Sequence, residues 1–110
     1  MTKLKEISLD NNRILSLAPD QFKGLSSLQK LNLHKNKLTQ LDAGLFADLT
    51  NLTDLTMSEN KLTSLPTGIF DSLGNLENIK MGENYYESLP NGLFSKVINI
   101  LFYLDVQLLT

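Results

Sequence analysis

An aspartate, the only histidine and a serine recur at matched spacing in this sequence. Asp10, His34 and Ser58 follow one another at equal intervals along the chain. These residue types can form a hydrolytic triad, in which serine attacks, histidine carries the proton and the carboxylate orients the histidine. A triad also needs an oxyanion hole and a pocket, and no motif near these positions indicates either. The sequence therefore favours the alternative, that His34 is one variable surface residue among many.

Other reactive sites find little support in the sequence. The segment "LDNN" at residues 9–12 resembles an acidic metal loop, but it lacks the glycine and the distal glutamate of a calcium loop. The chain has no cysteine, which excludes a disulfide framework and a thiolate metal site. The glycines are dispersed and do not form a phosphate-binding loop. We expect no enzyme, no metal and no cofactor.

The composition limits the classes of partner. The chain has 110 residues, 42% of them hydrophobic, and a net charge of -2, which argues against nucleic acid because phosphate binding needs a basic surface. Its most apolar stretch, "VINILFYLDVQLL" at residues 97–109, is too short to span a bilayer, which takes about 20 apolar residues. We therefore expect neither a nucleic-acid partner nor membrane contact by this chain.

One short motif indicates a modification. The triplet "NLT" at residues 51–53 is a sequon for N-glycosylation at Asn51. Asparagine also occurs 24 and 48 residues later, at Asn75 and Asn99. The repeated placement supports an alternative, in which Asn51 is required by the fold.

The spacing that separates Asp10, His34 and Ser58 is a 24-residue interval that extends through most of the chain. The pattern L-x-x-L-x-L-x-x-N-x-L-x-x-L, followed by a phenylalanine and a final leucine or valine, occurs four times, with units beginning at Leu4, Leu28, Leu52 and Leu76. A fixed period of this length is typical of proteins built from stacked repeats. The alternating L-x-L core predicts one short strand in each unit, and strands of successive units would stack in parallel.

Two further positions recur in every unit. An asparagine follows each strand, and a buried side-chain amide can both donate to and accept from stranded backbone groups. We expect these asparagines to form one ladder and the phenylalanines a second ladder on the far side. The two sets are Asn12, Asn36, Asn60 and Asn84, and Phe22, Phe46, Phe70 and Phe94. Gly44, Gly68 and Gly92 precede the phenylalanines, where we expect positive φ, and Asp20 takes that place in the first unit.

The period changes near the end of the chain. A strict 24-residue interval would bury Asp105, which would be unfavourable without a partner. Shifting by one residue brings Leu101, Leu104 and Val106 into the core positions. The sequence thus predicts a 25-residue fourth unit and a fifth strand in "LFYLDVQ", where a partial fifth unit begins at residue 101.

Residues 4–97 resemble the typical 24-residue subtype of the leucine-rich repeat family. The segments "LPTGIFDSLGNL" and "LPNGLFSKV" are most similar to extracellular members such as Toll and Toll-like receptor ectodomains, variable lymphocyte receptors and Slit-type proteins. The resemblance implies an α/β repeat fold, a right-handed solenoid with short parallel strands on its concave face and irregular or 3-10 turns on its convex face. We expect residues 1–110 to form a single array without the cysteine-rich caps of those relatives.

Packing does not constrain the residues that point outward from the strands. A rigid curved sheet that carries such variable side chains is suited to recognition. The predicted ligand-binding residues on the concave face are Arg13, Lys30, Asn32, His34, Lys35, Lys37, Thr56, Ser58, Lys61, Lys80 and Tyr85.

The apolar C-terminal segment predicts self-association. An edge strand with unpaired backbone groups invites another strand, and a two-fold contact would close the assembly as a dimer. The predicted contact residues are Ile100, Leu101, Phe102, Tyr103, Leu104, Val106 and Leu108.

Taken with the resemblance, these features predict a protein-protein recognition module. We expect part of a Toll-type receptor ectodomain that binds a protein ligand in innate immunity or development, and thus an extracellular or secreted location. The alternative is an engineered or isolated repeat scaffold, or an antigen binder similar to variable lymphocyte receptors. The units differ at most surface positions, which favours a natural origin over a uniform engineered array.

Overall fold

The computed structural model describes residues 3–95 and residues 104–105. Within these ranges the chain forms five short strands and no helix, so the described part contains no helix able to cross a membrane. The strands are β1 (Glu6–Ser8), β2 (Lys30–Asn32), β3 (Asp54–Thr56), β4 (Asn78–Lys80) and β5 (Leu104–Asp105).

The five strands form one parallel sheet in chain order. Ile7 pairs with Leu31, Leu31 with Leu55, and Leu55 with Ile79, so each step along the sheet is one 24-residue repeat. The last pairing joins Ile79 to Leu104 and is a 25-residue step, the interval that the hydrophobic pattern required. Each unit is therefore one coil of a solenoid, and the predicted parallel stack is confirmed.

The middle residue of each of the first four strands points into the core, and its two neighbours point outward. Leu31, Leu55 and Ile79 are 1%, 1% and 0% exposed. Successive side chains of a strand lie on opposite faces, so the flanking polar residues form the outer face of the sheet. This alternation is why the same leucines recur while the residues between them vary.

Asparagine side chains join the coils where the strands end. The Nδ2 group of Asn60 donates to the carbonyl oxygens of Leu33, Met57 and Ser58 at 3.0, 3.2 and 3.2 Å. Its Oδ1 atom accepts the Leu38 N–H at 3.1 Å. Asn60 is 4% exposed, so its amide satisfies four backbone groups of two adjacent units at a buried turn.

Two other asparagines repeat this arrangement, and the first asparagine does not. Asn36 and Asn84 each donate to three carbonyl oxygens and accept one N–H, one unit away on either side of Asn60. Asn12 is exposed and donates only within its own unit, to the Leu9 and Asp10 carbonyl oxygens at 3.0 and 3.3 Å. The inter-unit bonds of the asparagine side chains thus begin at Asn36, and the prediction that Asn12 belongs to this ladder is wrong because no unit precedes it in the described sheet.

Phenylalanine rings stack on the opposite side of the core. Phe46 and Phe70 are parallel, with ring centroids 6.3 Å apart, and Phe70 stacks on Phe94 at 5.5 Å. Phe22 is buried and lines a surface hollow with Leu45 between the first two units. The stacked column of rings therefore runs from Phe46 to Phe94.

The convex side consists of consecutive turns. Either irregular turns or 3-10 turns were expected there, and the structure has irregular turns. In the third unit, N–H groups of Ile69, Asp71 and Leu73 donate to carbonyl oxygens three residues earlier at 3.0–3.3 Å. Equivalent bonds recur in the first and second units. Such i to i+3 bonds close β-turns, so this side satisfies its backbone groups locally.

Positive φ occurs at only some of the expected glycines. Gly68 and Gly92 have φ of 81° and 71°, but the expectation is wrong for Gly44, and Asp20 does not have positive φ either. In the second unit the Asp42 carboxylate accepts the Gly44 N–H at 2.9 Å, and a side chain that bonds its own turn in this way supports a different turn geometry.

A second set of residues with positive φ lies in the turns between the first four strands and the asparagines that follow them. Asn11, Lys35, Glu59 and Glu83 have φ of 57°, 59°, 55° and 54°. Asparagine enters this region readily, but lysine and glutamate rarely do. The N–H groups of Asn11, Lys35 and Glu59 donate to the next unit's carbonyl oxygens at 2.9, 2.9 and 3.1 Å, so inter-unit bonding offsets the strain.

Candidate ligand-binding face

The outer face of the sheet is lined mainly by polar side chains from alternate strand positions. We call this surface the concave face, and it comprises Glu6, Ser8, Lys30, Asn32, Asp54, Thr56, Asn78 and Lys80. Its charges alternate along the first row, where Glu6, Lys30 and Asp54 occupy neighbouring strands. The Asn78 amide donates to the Asp54 carboxylate at 3.3 Å, so neighbouring units also interact across this face.

A row of cations lies just beyond the strands. We call Arg13, Lys37, Lys61 and Tyr85 the edge row; the three cations are exposed, and Tyr85 is 51% exposed. Backbone bonds tie the row to the units before it, because the N–H groups of Lys37, Lys61 and Tyr85 each donate to the preceding unit at 2.8–2.9 Å. Neighbouring coils lie about 4.8 Å apart, so this edge concentrates positive charge along its first three units.

The imidazole of His34 contacts a carboxylate of the next unit. Its Nε2 atom lies 3.5 Å from Oε2 of Glu59, and the two side chains are 35% and 40% exposed. The backbone N–H of His34 donates to Oδ1 of Asn32 at 2.9 Å. The pair is solvated on one side, so it contributes little to stability, about 0–1 kcal/mol at most.

The three residues of the possible triad do not act together. Asp10 accepts the Ser8 hydroxyl at 2.6 Å, His34 lies against Glu59, and the Ser58 hydroxyl has no hydrogen-bond partner. A triad requires the serine to donate to the histidine and the histidine to donate to the carboxylate. This arrangement therefore offers no activated nucleophile.

Most of the predicted ligand-binding residues are accessible, and one is not. Seven are exposed and three are half-buried, but Ser58 is only 7% exposed and its hydroxyl oxygen exposes less than 1 Å². The prediction of a freely exposed Ser58 is wrong. Ser58 lies two residues beyond the end of β3 and lines the same hollow as His34. The exposed residues are Arg13, Lys30, Lys35, Lys37, Lys61, Lys80 and Tyr85, and the half-buried ones are Asn32, His34 and Thr56.

Two acidic residues outside the predicted set belong to this region. Glu59 pairs with His34, and Glu83 lines a hollow with Ser58 and Lys80. Both directly precede an asparagine of the ladder and have positive φ. Their position in the repeat was visible in the sequence, but the turn that brings them toward the strands was not. Among the residues that the structure describes, no cluster of His, Asp or Glu is arranged to hold a metal ion.

Asn51 is exposed and takes part in a second, smaller set of inter-unit bonds. Its Nδ2 group donates to the Ser26 carbonyl oxygen at 2.8 Å, and Asn75 donates likewise to the Thr50 carbonyl oxygen at 2.9 Å. The Thr53 hydroxyl of the sequon donates to the Gln29 carbonyl oxygen at 3.2 Å. The fold therefore uses the Asn51 amide, and one N–H would remain for this bond on an amide linked to a glycan.

Six of the seven predicted self-association residues lie outside the described residues: Ile100, Leu101, Phe102, Tyr103, Val106 and Leu108. Leu104 belongs to β5, which pairs with β4 at the end of the described sheet.

Comparison with known proteins identifies the family. A family model described as "Leucine rich repeat" matches residues 2–62 and 50–107. A search of curated protein sequences finds no match.

Solved structures with similar folds include receptor ectodomains. The Toll chain of a Drosophila Toll–Spatzle complex shares 36% identity over 86% of this chain, with a TM-score of 0.79. A TLR13 chain solved with ssRNA13 shares 33% identity over 94%, with a TM-score of 0.85, and the APL1B leucine-rich repeat domain shares 25% over 98%, with a TM-score of 0.90.

The present chain corresponds to 13%, 15% and 34% of the Toll, TLR13 and APL1B chains, respectively. The repeat pattern, the parallel stack and these matches agree with one another. The chain belongs to the leucine-rich repeat family and resembles the ectodomains of Toll-like receptors.

Proposed function

We propose that this chain is a non-enzymatic protein-recognition module from the extracellular part of a Toll-type receptor, and that it binds a protein ligand through its concave face. The proposal rests on the alternation, within each strand, of residues that pack in the core and residues that face outward. Leu31 and Leu55 are buried by packing, whereas Lys30, Asn32 and Thr56 project outward and are free to vary. A surface of this kind can change its specificity without a change of fold.

The similar structures support a protein ligand. The Toll chain was solved in complex with Spatzle, and that complex is described as a hub in development and innate immunity. The polar character of the concave face suits such an interface, because stable protein complexes commonly combine a polar rim with a few buried anchors.

A nucleic-acid ligand is the second candidate, because the TLR13 chain was solved with ssRNA13. The edge row of Arg13, Lys37 and Lys61 is the feature that favours it. Against it stand the net charge of -2 and two acidic residues, Glu59 and Glu83, which each come two residues before a member of the row. Phosphate binding depends on a continuous basic surface, so we propose a protein ligand and no nucleic-acid partner.

Binding to purified Spatzle tests the proposal, with calorimetry as the measurement. Charge reversal at Lys30 (Lys30→Glu) and steric obstruction at Thr56 (Thr56→Arg) should each weaken binding at least about tenfold, equivalent to about 1.4 kcal/mol. Lys23→Glu, on the convex side, is the matched control and should leave binding unchanged. Equal losses in all three variants, or no binding by the wild-type chain, would contradict the proposal and favour a scaffold without its own ligand.

We also propose that Asn51 carries an N-linked glycan when the chain is secreted. Asn51 is exposed, and its sequon residue Thr53 is half-buried. Secretion from eukaryotic cells should give a product that loses mass on treatment with an endoglycosidase. Thr53→Ala, which removes the sequon but keeps Asn51, should abolish that loss, and an unchanged mass in the wild-type protein would contradict the proposal.

Homodimerisation through residues 98–109 is a further proposal, based on the apolar sequence of that segment and on the pairing of its strand β5 at the end of the described sheet. Light scattering should show a dimer at micromolar concentration. Phe102→Lys combined with Leu104→Lys should give a monomer or an unfolded chain, because charged side chains protect strand edges and Leu104 was assigned to a core position. A wild-type monomer, or a dimer that persists in a folded double variant, would contradict this contact.

A further inference from the structure

We propose that a hollow on the concave side of the chain binds a carboxylate, supplied by an aspartate or glutamate side chain of the protein ligand. We call it the Ser58 hollow; it has a volume of about 380 Å³. The residues that line it are Asn32, His34, Thr56, Ser58, Lys80 and Glu83. This inference rests on the proposed function, because it names the chemistry of one contact within the proposed interface.

The hydroxyl of Ser58 is the observation that points to a ligand. Ser58 is only 7% exposed, and its Oγ atom has no hydrogen-bond partner. A buried hydroxyl without a partner is unfavourable, and native proteins keep few of them. Asn32, which lines the same hollow, does have a partner, because its Oδ1 atom accepts a hydrogen bond from the backbone N–H of His34. An acceptor placed in the hollow would give the Ser58 proton a partner.

The lining offers several hydrogen-bond donors to an acceptor placed in the hollow. The Asn32 Oδ1 atom is already engaged, which leaves the amide NH₂ group as a donor. Thr56 and Ser58 supply hydroxyl groups, and Lys80 supplies an exposed ammonium group on β4. A carboxylate accepts up to four hydrogen bonds and carries the opposite charge to Lys80. It therefore complements this lining better than a neutral amide or an ammonium group does.

The acidic residues nearby do not reverse this preference. Glu59 already has a partner in His34, at 3.5 Å. Glu83 lies beyond the strand at the turn, whereas Lys80 and Thr56 lie on the strands themselves. A ligand side chain that reaches the strands thus meets Thr56 and Lys80, and Ser58 and Glu83 line the same hollow beyond the strand ends.

Contact with Ser58 requires a small rearrangement of side chains. Its hydroxyl oxygen exposes less than 1 Å² in the free chain. His34 lines the hollow, and both His34 and its partner Glu59 are more than a third exposed, at 35% and 40%. Their interaction is weak at this exposure, so the His34 side chain can move in the hollow with little loss of free energy when a ligand enters.

Acetate is the probe for this site, and acetamide, which has the same shape without the charge, is the control ligand. Two-dimensional ¹H–¹⁵N NMR at constant ionic strength should show saturable shifts of the Thr56, Ser58 and Lys80 amide signals with acetate. Acetamide should produce no saturable shifts. The affinity for the isolated acetate ion is expected to be in the millimolar range, because so small a ligand makes few contacts.

Two variants and a matched control define the site. Lys80→Met and Ser58→Ala should each weaken acetate binding about tenfold, the loss expected when a hydrogen bond to a charged group is removed. Ser58→Ala should leave the melting temperature unchanged or raise it, since the hydroxyl has no partner in the free chain. Lys23→Met removes the same charge from the convex side and should leave acetate binding unchanged.

The proposal is overturned if acetate gives no saturable shift, if acetamide shifts the same signals equally, or if either variant binds acetate as the wild-type chain does. These outcomes are separable from the proposed function. A chain that binds Spatzle and loses that binding in Lys30→Glu, but shows no acetate shift, would retain the recognition function and lack this carboxylate site.

Discussion

The first unit and the second unit carry the same hydrophobic pattern but differ in burial. Ile7 and Leu9 are only partly buried, whereas Leu31 and Leu33, their equivalents one unit later, are 1% and 0% exposed. The residue types are closely matched, so the difference comes from position. In the described structure the second unit packs between two neighbours, and the first packs against one. Burial in this array is therefore produced by stacking, and each unit depends on the next for its core.

The largest expected effect that tests this comparison is at the phenylalanines. Phe70 is 0% exposed and stacks on rings from both sides, so Phe70→Ala should lower the free energy of unfolding by about 3–5 kcal/mol. Phe22→Ala, in the first unit, should cost at least about 1 kcal/mol less, because the cavity there lies at one end of the array. Chemical denaturation measures both, and equal losses would contradict a dependence on neighbours.

An intermediate effect is expected at the asparagine ladder. Asn60→Leu removes one acceptor and three donated bonds at a buried turn, and it should destabilise the chain by about 1–3 kcal/mol. Asn12→Leu should change stability by less than about 0.5 kcal/mol, since Asn12 is exposed. Thermal unfolding of the two variants provides the measurement. Unchanged stability in Asn60→Leu would show that the ladder does not hold the coils together.

The smallest expected effect is a gain in stability in the fourth unit. Tyr86 takes the place of Leu38 and Leu62, is 0% exposed, and its hydroxyl has no hydrogen-bond partner. Tyr86→Phe removes that unpaired group and should stabilise the chain by about 1 kcal/mol. A loss of stability in this variant would mean that the hydroxyl makes a favourable interaction.

The same residue makes a prediction about pH. Burial raises the pKa of the Tyr86 hydroxyl well above its usual value of 10.0. Above that value the unfolded chain loses a proton that the folded chain retains, so the stability of the wild-type protein should fall as the pH rises past about 10. Tyr86→Phe should reduce this fall in alkaline denaturation experiments. An identical slope in both proteins would contradict the burial of Tyr86.

The parts of the fold that repeat could be predicted from the sequence. Strand positions, the parallel register and the 25-residue step to Leu104 all follow from keeping hydrophobic residues inside and Asp105 out of the core positions. These features depend on spacing along the chain. A single sequence contains that spacing directly, which is why no further information was needed.

The features that could not be predicted depend on local competition between turn geometries. Gly44 was expected to need positive φ, but the carboxylate of Asp42 bonds its N–H and supports another turn. Lys35, Glu59 and Glu83 adopt positive φ although their residue types disfavour it. At Lys35 and Glu59 the strain is offset by bonds to other units, and such bonds are not visible in a local stretch of sequence.

The candidate site was predicted less completely than the fold. Periodicity identified which residues leave the strands on the outer side, and it placed Lys80 and Thr56 correctly on strands. It did not predict that Ser58 is buried, because its exposure depends on the size and conformation of side chains in two neighbouring units. Glu83 was outside the predicted set for a different reason, since a turn with positive φ brings it to the Ser58 hollow.

The asparagine bonds have a consequence for how the array can change in length. Each ladder asparagine from Asn36 to Asn84 bonds only to its own unit and to the unit before it, at sequence offsets of 22 and 27 that are the same in every described case. A deletion of residues 52–75 would join Asn51 to Leu76 and preserve those offsets, as would a duplication of the same segment. Unequal recombination between units can therefore add or remove one row of surface side chains at a time, while the 25-residue step before β5 marks the boundary where such an exchange would shift the register.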